Sequence, residues 1–376
     1  MSVMPPAAVG EAKAASKAAG KINYRELGIL YALLLAWAVL AIANDQFRRL
    51  DTYVSIMRQA SFAGICGVGM TLCIASRHFD QSVGAMLAFL GCAFTAILAK
   101  FAEPVATDQA TGAQTGGITW YGVLAAILIV IAMGILSGLF NGVLVAKLRI
   151  PAFIATLGTL YVYRGSAYVV SGNQPMIINQ IVTKEQYEFF HFLGTGSIAG
   201  LPFSFWVMAA CAAAGTVVLR RTGLGRHTLA IGNSVEASRI SGIGIDKTKV
   251  LIFTLLGGFV GVASLLNTTY LASSNPGMVT GFEFVVITTV VLGGTALAGG
   301  KGSILTTIVS AHFLVTLTVG MNALGVSSYY QRIYQGVILL FAFSINEIRT
   351  VAENQRVKAA ARREARLAKL REAPKA

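Results

Sequence analysis

Charged side chains are scarce in this sequence. They make up 12% of its 376 residues, whereas about a quarter of the residues of an ordinary soluble domain are charged. Hydrophobic residues account for 55%, and the mean hydropathy is +0.68. The alternating pattern of barrel strands is also missing, and a backbone in lipid must satisfy its own hydrogen bonds. These features predict an all-α polytopic membrane protein.

Metal-binding and catalytic patterns are missing as well. Four cysteines, Cys66, Cys73, Cys92 and Cys211, lie inside apolar runs without a C-x-x-C pair, which is typical of thiols that pack as small hydrophobic groups. The sequence contains no G-x-S-x-G, no H-E-x-x-H and no paired carboxylates within an apolar run. We therefore expect no metal site, no catalytic residue and no enzymatic activity.

A glycine-rich segment, GGTALAGGKGS from Gly293 to Ser303, has some of the composition of a phosphate-binding loop. Such a loop needs a glycine five residues before its Gly-Lys pair, and a Ser or Thr directly after the Lys. Thr295 and Gly302 occupy these two positions. The chain is therefore not expected to bind ATP itself.

Few ionisable residues lie within the apolar runs. Asp80 and Glu283 lie at the ends of runs, His312 lies inside one, and Arg164 is the charged residue expected to lie deepest. Ion-coupled carriers place Asp, Glu or His near the middle of the membrane. We therefore expect the energy for transport to come from a separate subunit, with a stand-alone ion-coupled carrier as the alternative.

Ten apolar runs are long enough, with their neighbouring small residues, to predict ten membrane-spanning helices. The runs are 28–43, 52–75, 83–101, 119–145, 152–171, 201–219, 250–270, 284–298, 303–321 and 333–346. The predicted divisions are an N-terminal segment (1–27), spans 1 to 6 (28–219), a central polar segment (220–249), spans 7 to 10 (250–346) and a basic tail (347–376). The sequence Ala41-Ile42-Ala43 resembles a cleavage site, so loss of the first run stays open.

The distribution of Lys and Arg predicts the orientation. With both termini inside, most of the 30 Lys and Arg residues fall on the inner face, as the positive-inside rule requires. The net charge of +14 is thus explained by orientation, and we expect no nucleic acid as partner. The tail, from Val351 to Ala373, is predicted to be a helix that is solvated or attracted to anionic membrane lipid.

Glycines at four-residue spacing predict close helix packing. Gly134, Gly138 and Gly142 form one such series, and Gly257 with Gly261 forms another. Small residues at this spacing let helix backbones approach each other in lipid.

The central segment, Arg220 to Lys249, is the one long charged segment in the interior of the chain. Asn233 and Glu236 have the spacing of a helix cap and a returning acidic side chain, and Gly242 supplies a stop. A short helix from Ser234 to Ser241, lying outside the membrane and exposed to a partner, is predicted. A solvated loop between two spans is the alternative.

Four motifs in series resemble one family. They are GVGMTLCIASRHFDQSVGAMLAFLG (Gly67 to Gly91) and the segments Asn141 to Gly172, Gly225 to Ile243 and Val290 to Ala311. Together they resemble the ribose and xylose type permeases of bacterial ABC importers, within the branched-chain amino acid and monosaccharide permease superfamily. The likeness covers residues 50 to 346. The chain departs from the family pattern at Arg77-His78-Phe79 and at Gln81, where small or apolar residues are preferred.

The resemblance implies a ten-helix subunit of the bacterial inner membrane that translocates a monosaccharide or a related polyhydroxylated solute. It implies a homodimer or a heterodimer with a related permease, an ABC ATPase subunit that binds ATP, and a periplasmic solute-binding protein. By the same likeness, residues 233–243 form the coupling helix. The candidate ATPase-coupling residues are Arg226, Asn233, Glu236, Ala237, Arg239, Ser241 and Gly242.

Polar residues within the spans are candidates for the solute path. The turn at Asp80, Ser82 and Gly84 opens a helix, and Asp80 is expected either to cap that helix or to contact the ATPase or the solute. The candidate pathway residues are Asn141, Tyr161, Arg164, Asn267 and Thr268. For Asn141 the alternative is an interhelical hydrogen bond, and for Arg164 it is snorkelling or a bond to a backbone carbonyl.

Overall fold

The computed structural model describes residues 24–107, 114–345 and 347–348, with the single residues 351 and 355. The predicted N-terminal segment up to residue 23 and most of the predicted basic tail lie outside the described residues. Within them the chain is predominantly helical, as the composition predicts.

Thirteen helices can be numbered within the described residues. They are α1 Tyr24–Ala43, α2 Leu50–Ala75, α3 Val83–Phe101, α4 Trp120–Ala146, α5 Ala152–Ser171, α6 Lys184–Thr195, α7 Phe203–Arg221, α8 Gly223–Asn233, α9 Val235–Ile240, α10 Ile245–Leu271, α11 Phe282–Leu292, α12 Ile304–Ala323 and α13 over residues 328–345. Short 3-10 helices lie between α1 and α2, at Asp45–Arg48, and between α5 and α6, at Ile178–Gln180.

Three small two-stranded sheets accompany the helices. Strands β1 Glu103–Thr107 and β2 Gln114–Gly117 form one pair, β3 Met176–Ile177 and β6 Ser273–Ser274 the second, and β4 Ser197–Ile198 and β5 Leu201–Pro202 the third; all are antiparallel. They lie where α3, α5 and α10 end and where α7 begins, so they cap one end of the helix bundle.

Each predicted apolar run contains a helix, and one prediction is wrong in length. The run 284–298 forms only α11, with 11 residues, or about 16 Å at 1.5 Å per residue. A bilayer core is about 30 Å thick, so α11 does not cross it alone. Gly281, at φ 87°, precedes the helix, and Gly294, also at φ 87°, follows it. These left-handed glycines break the run at both sides.

Among the described residues, five helices are long and apolar enough to cross a membrane by length and composition: α3, α4, α7, α10 and α12. Large apolar side chains on the outer helices α1, α4, α5 and α13 are exposed. A multi-pass membrane protein accounts for both features, because lipid tails cover such surfaces at no cost in hydration.

The centre of the bundle is α2. All its residues from Ala60 to Ala75 are buried, and it packs against α7, α10, α11 and α12. α3 is also largely buried, and it packs against α4, α5 and α10.

The most extensive helix contact joins α4 to α10, and it depends on the predicted glycines. A Cβ at Gly138 would lie 3.0 Å from Gly257 Cα, and a Cβ at Gly257 would lie 2.7 Å from Gly138 N. Real Cβ atoms do not approach backbone this closely. The prediction of close packing at these two glycines is confirmed.

Candidate functional site

The central segment folds as two short helices at one end of the bundle. α8 begins at the cap residue Thr222, whose Oγ1 accepts from Gly225 N at 3.3 Å, and it contacts α2 and α10. A single residue, Ser234, separates α8 from α9. We call residues 223–243 the coupling segment.

The predicted short helix is present, but its predicted cap is wrong. Asn233 is the last residue of α8, so its backbone is helical and its side chain does not cap α9. Ser234 is the N-cap: its backbone is extended, and its Oγ accepts from Ala237 N at 3.2 Å. Two cap-forming residues stand side by side in the sequence, and the continuation of α8 through Asn233 decides between them.

The candidate ATPase-coupling residues are exposed, whereas Gly225, Thr228, Ile231, Gly232 and Ser238 of the same segment are buried. Glu236 does not return to the helix start, because its carboxylate pairs with Arg239 at 3.4 Å on the exposed surface. Gly242, at φ 75°, ends α9 as predicted. Arg226, Ala237 and Ser241 are exposed. The apolar side chain of Ile240 is 81% exposed among these polar neighbours.

The turn between α2 and α3 holds a buried polar cluster, which we call the Asp80 cluster. Asp80 Oδ1 accepts from Ser82 N at 2.8 Å and from Ser82 Oγ at 2.6 Å, and Asp80 Oδ2 accepts from Asn141 Nδ2 at 2.9 Å. All three side chains are fully buried. Burial raises the pKa of Asp80, while the bonds from Ser82 and Asn141 oppose that rise. Asp80 thus orders Ser82, the residue before α3, although it accepts no bond from the N–H groups of α3 itself.

Tyr163 on α5 extends this cluster. Its hydroxyl donates to Ser137 O at 3.0 Å and lies 3.4 Å from Asn141 Oδ1. Asn141 therefore joins α4 to the turn between α2 and α3 and to α5. This arrangement is the interhelical hydrogen bond given above as the alternative to a pathway role. Tyr163 was not among the predicted residues, because a Tyr in an apolar helix carries no signal beyond packing.

Gly84, in the first turn of α3, lies against the start of α11. A Cβ there would overlap Glu283 Oε2 and lie 3.3 Å from Glu283 N. The Glu283 side chain is only 6% exposed, and its Oε2 has no hydrogen-bond partner among the residues described. Glu283 lies at the end of its apolar run, as the sequence predicts, and it is buried in the first turn of the short helix α11. Pro276, Gly277 and Gly281 are the sequence signal for the non-helical stretch between α10 and α11.

Arg164 and Tyr161, two of the candidate pathway residues on α5, have different surroundings. Arg164 Nη1 donates to Pro276 O at 2.6 Å and to Met278 O at 2.9 Å, so it holds the segment between α10 and α11. Tyr161 is 72% exposed on the outer face of α5. Arg164 thus bonds to backbone carbonyls, which is one of the alternatives to a pathway role given for it above.

Asn267 and Thr268 lie near the end of α10 and are buried. Asn267 Oδ1 and Thr268 Oγ1 have no hydrogen-bond partner among the residues described. A Cβ at Gly91 of α3 would lie 2.5 Å from Thr268 Oγ1 and 2.7 Å from Met278 Cε. Thr268 and the Met278 side chain thus lie on the same side of Gly91, and Met278 O also accepts the bond from Arg164. Asn141, by contrast, belongs to the Asp80 cluster.

The part of the chain that the structure describes contains neither a candidate metal site nor a disulfide bond. It contains no group of three or more His, Cys, Asp or Glu that could hold a metal ion. Cys66, Cys73 and Cys92 are buried, Cys211 is partly buried, and all four thiols are free. With its buried polar clusters between long apolar helices, the fold is that of a multi-pass membrane protein.

Sequence comparison identifies the family. Residues 52–343 match the profile of the family described as the permease component of branched-chain amino acid transport systems. The chain belongs to this family.

Several relatives are named for sugars. A ribose import permease of Escherichia coli K12 is 36% identical over 317 residues, which cover 84% of this chain and 92% of the relative. A ribose import permease of Bacillus subtilis is 32% identical over 85% of this chain and 91% of the relative. An L-arabinose transport system permease of Escherichia coli K12 is 33% identical, with 83% and 88% covered. No solved structure matches the chain.

Proposed function

We propose that this chain is the membrane-spanning permease subunit of an ABC importer that moves a monosaccharide, or a related polyhydroxylated solute, across the bacterial inner membrane. Two kinds of relatives, named for ribose and for arabinose, support the solute class. ATP is bound and hydrolysed by a separate ATPase subunit, and the chain itself binds no cofactor and is not an enzyme. The observation that carries this proposal is the exposed surface of the coupling segment, on which an ATPase could dock.

The surface of the coupling segment fits a protein partner. Exposed Ile240 supplies an apolar anchor, while Arg226 and Arg239 supply charge around it. A central apolar residue with a polar rim is typical of protein interfaces. We propose Arg226, Asn233, Glu236, Ala237, Arg239, Ser241 and Gly242 as residues that dock or support the ATPase.

The proposed orientation places the coupling segment and both termini in the cytoplasm, with ten passes through the membrane, one of which α11 makes together with the non-helical residues on either side of it. The positive-inside distribution of Lys and Arg supports it. The end of the bundle with the small sheets and α6 then faces the periplasm, where a solute-binding protein would deliver the solute.

The outer face of α5 supports a pair of permeases, either two copies or two related chains. Gly158 and Gly165 face open space, because a Cβ at either would meet no heavy atom within 4 Å. Tyr161 and Val169 are exposed on the same helix. Small residues on an uncovered face of a membrane helix permit close approach of a second helix. In such a pair the solute path would run between α5 helices, with Arg164 behind them.

Reconstitution separates this function from the alternative of a stand-alone ion-coupled carrier. The chain is placed in vesicles with and without its ATPase and binding protein, and uptake of ribose and arabinose is measured with ATP or with an ion gradient. ATP-dependent uptake that requires the ATPase is expected. Uptake by the isolated chain that collapses with the ion gradient would contradict the proposal.

Two variants of α9 test the coupling segment. Arg239→Glu reverses an exposed charge, and Ala237→Pro removes a backbone donor that bonds to Ser234. Both are expected to uncouple ATP hydrolysis from uptake while the protein remains inserted. Unchanged uptake in both would exclude α9 as the coupling element.

A further inference from the structure

Arg77, in the turn between α2 and α3, has an unfavourable backbone conformation. Its φ is 65°, in the left-handed region that glycine occupies readily and other residues avoid. A residue kept in such a conformation needs contacts that hold it there.

The Arg77 side chain supplies these contacts by bonding to the coupling segment. Its Nε donates to Gly232 O at 2.6 Å, and its Nη2 donates to Asn233 O at 3.0 Å. These carbonyls end α8, where the helix provides no further donors and where the helix dipole favours a cation. The planar guanidinium can bond both at once. Arg77 thus caps α8 from a position 155 residues earlier in the chain.

The backbones around this contact are closely packed. Gly300 N donates to Ala75 O at 2.8 Å, and a Cβ at Gly232 would overlap both of these atoms. A Cβ at Gly299 would lie 2.6 Å from Arg77 Cγ. We call the contact between residues 75–77, 232–233 and 299–300 the Arg77 joint. It leaves little room for the coupling segment to move independently of α2.

On its other side the joint continues into the Asp80 cluster. His78 N donates to Cys73 O at 2.9 Å, and the His78 ring meets Phe253 of α10 edge-on, with centroids 6.2 Å apart. Two residues later, Asp80 is bonded to Ser82 and Asn141. A short segment with bonds at both ends therefore links the last residues of α8 to Ser82, the residue before α3.

We propose that Arg77 is a positioning residue for transport, through which a displacement of the coupling segment moves the Asp80 cluster and the start of α3. This proposal rests on the proposed function, since it assigns a route to the movement that an ATPase would impose on α9. Without the Arg77 bonds the coupling segment still docks the ATPase, but its movement is no longer passed to the buried polar residues.

Arg77→Gly is the decisive variant, because glycine accepts the left-handed backbone and removes only the side-chain bonds. Arg149→Gly is the matched control. Arg149 also has a positive φ, 55°, lies in the turn between α4 and α5, and makes no hydrogen bond with its exposed side chain among the described residues. Arg77→Lys keeps the charge without the planar fork, so it is expected to have an intermediate effect.

Each variant is reconstituted with the ATPase and the binding protein, and uptake of ribose or arabinose per ATP hydrolysed is measured. We expect Arg77→Gly to assemble and to hydrolyse ATP normally, with the uptake per ATP reduced about tenfold. Arg149→Gly is expected to match the wild type. A wild-type ratio in Arg77→Gly, or an equal loss in Arg149→Gly, would overturn the proposal. The wild-type complex decides the proposed function separately: uptake without ATP would overturn that function, and this proposal with it.

A distance measurement tests the joint without transport. Spin labels are attached to cysteines introduced at Ala237 and Gln81, in a background where the partly buried Cys211 is replaced by Ala. In the wild-type complex a narrow distance distribution that ATP does not change is expected, because the two sites move together. In Arg77→Gly the distribution should broaden or shift with ATP. An identical narrow distribution in the variant would show that Arg77 does not link them.

Discussion

Asn141 on α4 donates to Asp80 Oδ2 and to Ser82 Oγ, at 2.9 Å in both cases. One amide thus joins α4 to the turn from which α3 starts. Gly138, one helical turn earlier on α4, is packed against the backbone of α10. The start of α3 is therefore fixed relative to two long helices, and its position depends on a few buried polar bonds.

Exchanging the residues Asp80 and Asn141 for one another should partly restore the stability that each single substitution removes. Asp80→Asn places an amide group opposite the Asn141 amide, which leaves a buried donor unpaired at a cost of about 2 kcal/mol. Asn141→Asp alone places two carboxylates together. The double variant restores one donor and one acceptor, so it should be more stable than the sum of the two losses predicts. Thermal unfolding in detergent measures this, and strict additivity would contradict it.

Neighbouring glycines on α10 should respond differently to alanine. A Cβ at Gly257 would lie 2.7 Å from Gly138 N, whereas the nearest atom to a Cβ at Gly258 is Ile135 Cγ1 at 3.3 Å. Gly257→Ala is expected to destabilise by about 2 kcal/mol through overpacking. Gly258→Ala should be neutral or stabilising by up to about 1 kcal/mol, because alanine favours helix. Equal melting temperatures for the two variants would exclude this account of the contact between α4 and α10.

Helix α9 should depend on Ser234 and not on Asn233. Ser234→Ala removes the cap bond to Ala237 N and should weaken the helix by about 1 kcal/mol. Asn233→Ala should leave α9 unchanged, because its carbonyl, which Arg77 binds, is retained. Amide exchange of residues 235–240 measures both variants. Faster exchange in Asn233→Ala than in Ser234→Ala would restore the cap that the sequence predicts.

The same pair of residues illustrates what the sequence can predict. Apolar runs locate the long helices, because lipid requires continuous hydrogen-bonded apolar segments, and each of these runs contains an observed helix. The choice between Asn233 and Ser234 as a cap depends on where the preceding helix ends, which local spacing does not determine.

Contacts between distant segments are the part that the sequence does not provide. The Arg77 bonds to Gly232 and Asn233 span more than 150 residues, and a single sequence contains no pattern that pairs them. Arg164 is recognisable as a deep charge, but its carbonyl partners at 276 and 278 become visible only when the chain between α10 and α11 is placed. Tertiary packing, not local preference, decides both.

Removal of the Arg164 guanidinium should release the segment before α11. Its two bonds go to Pro276 O and Met278 O, and bonds from a charged donor contribute about 2 kcal/mol. Arg164→Met keeps most of the side-chain volume without donors. Amide exchange at Met278 should then be about thirtyfold faster, and uptake should fall. Arg164→Lys should lie between the two, and unchanged exchange in Arg164→Met would show that the segment is held by other contacts.

His78 should make the stability of the protein depend on pH. Burial, with Lys249 nearby, lowers the pKa of His78 from 6.5 to about 4, although a bond involving Ser76 opposes this change. Between these two values the unfolded chain binds a proton that the folded chain does not. Stability is therefore complete above pH 6.5 and is lost as the pH falls towards 4.

The expected loss is about 2 kcal/mol by pH 5, from the free energy that corresponds to each pH unit. His78→Gln cannot be protonated, so its melting temperature in detergent should fall less between pH 7 and pH 5 than that of the wild type. All other titrating groups are common to the two proteins, and the difference between their pH profiles isolates His78. Parallel profiles would mean that this imidazole is accessible to protons in the folded protein, and that the turn carrying Arg77 and Asp80 opens more readily than its packing indicates.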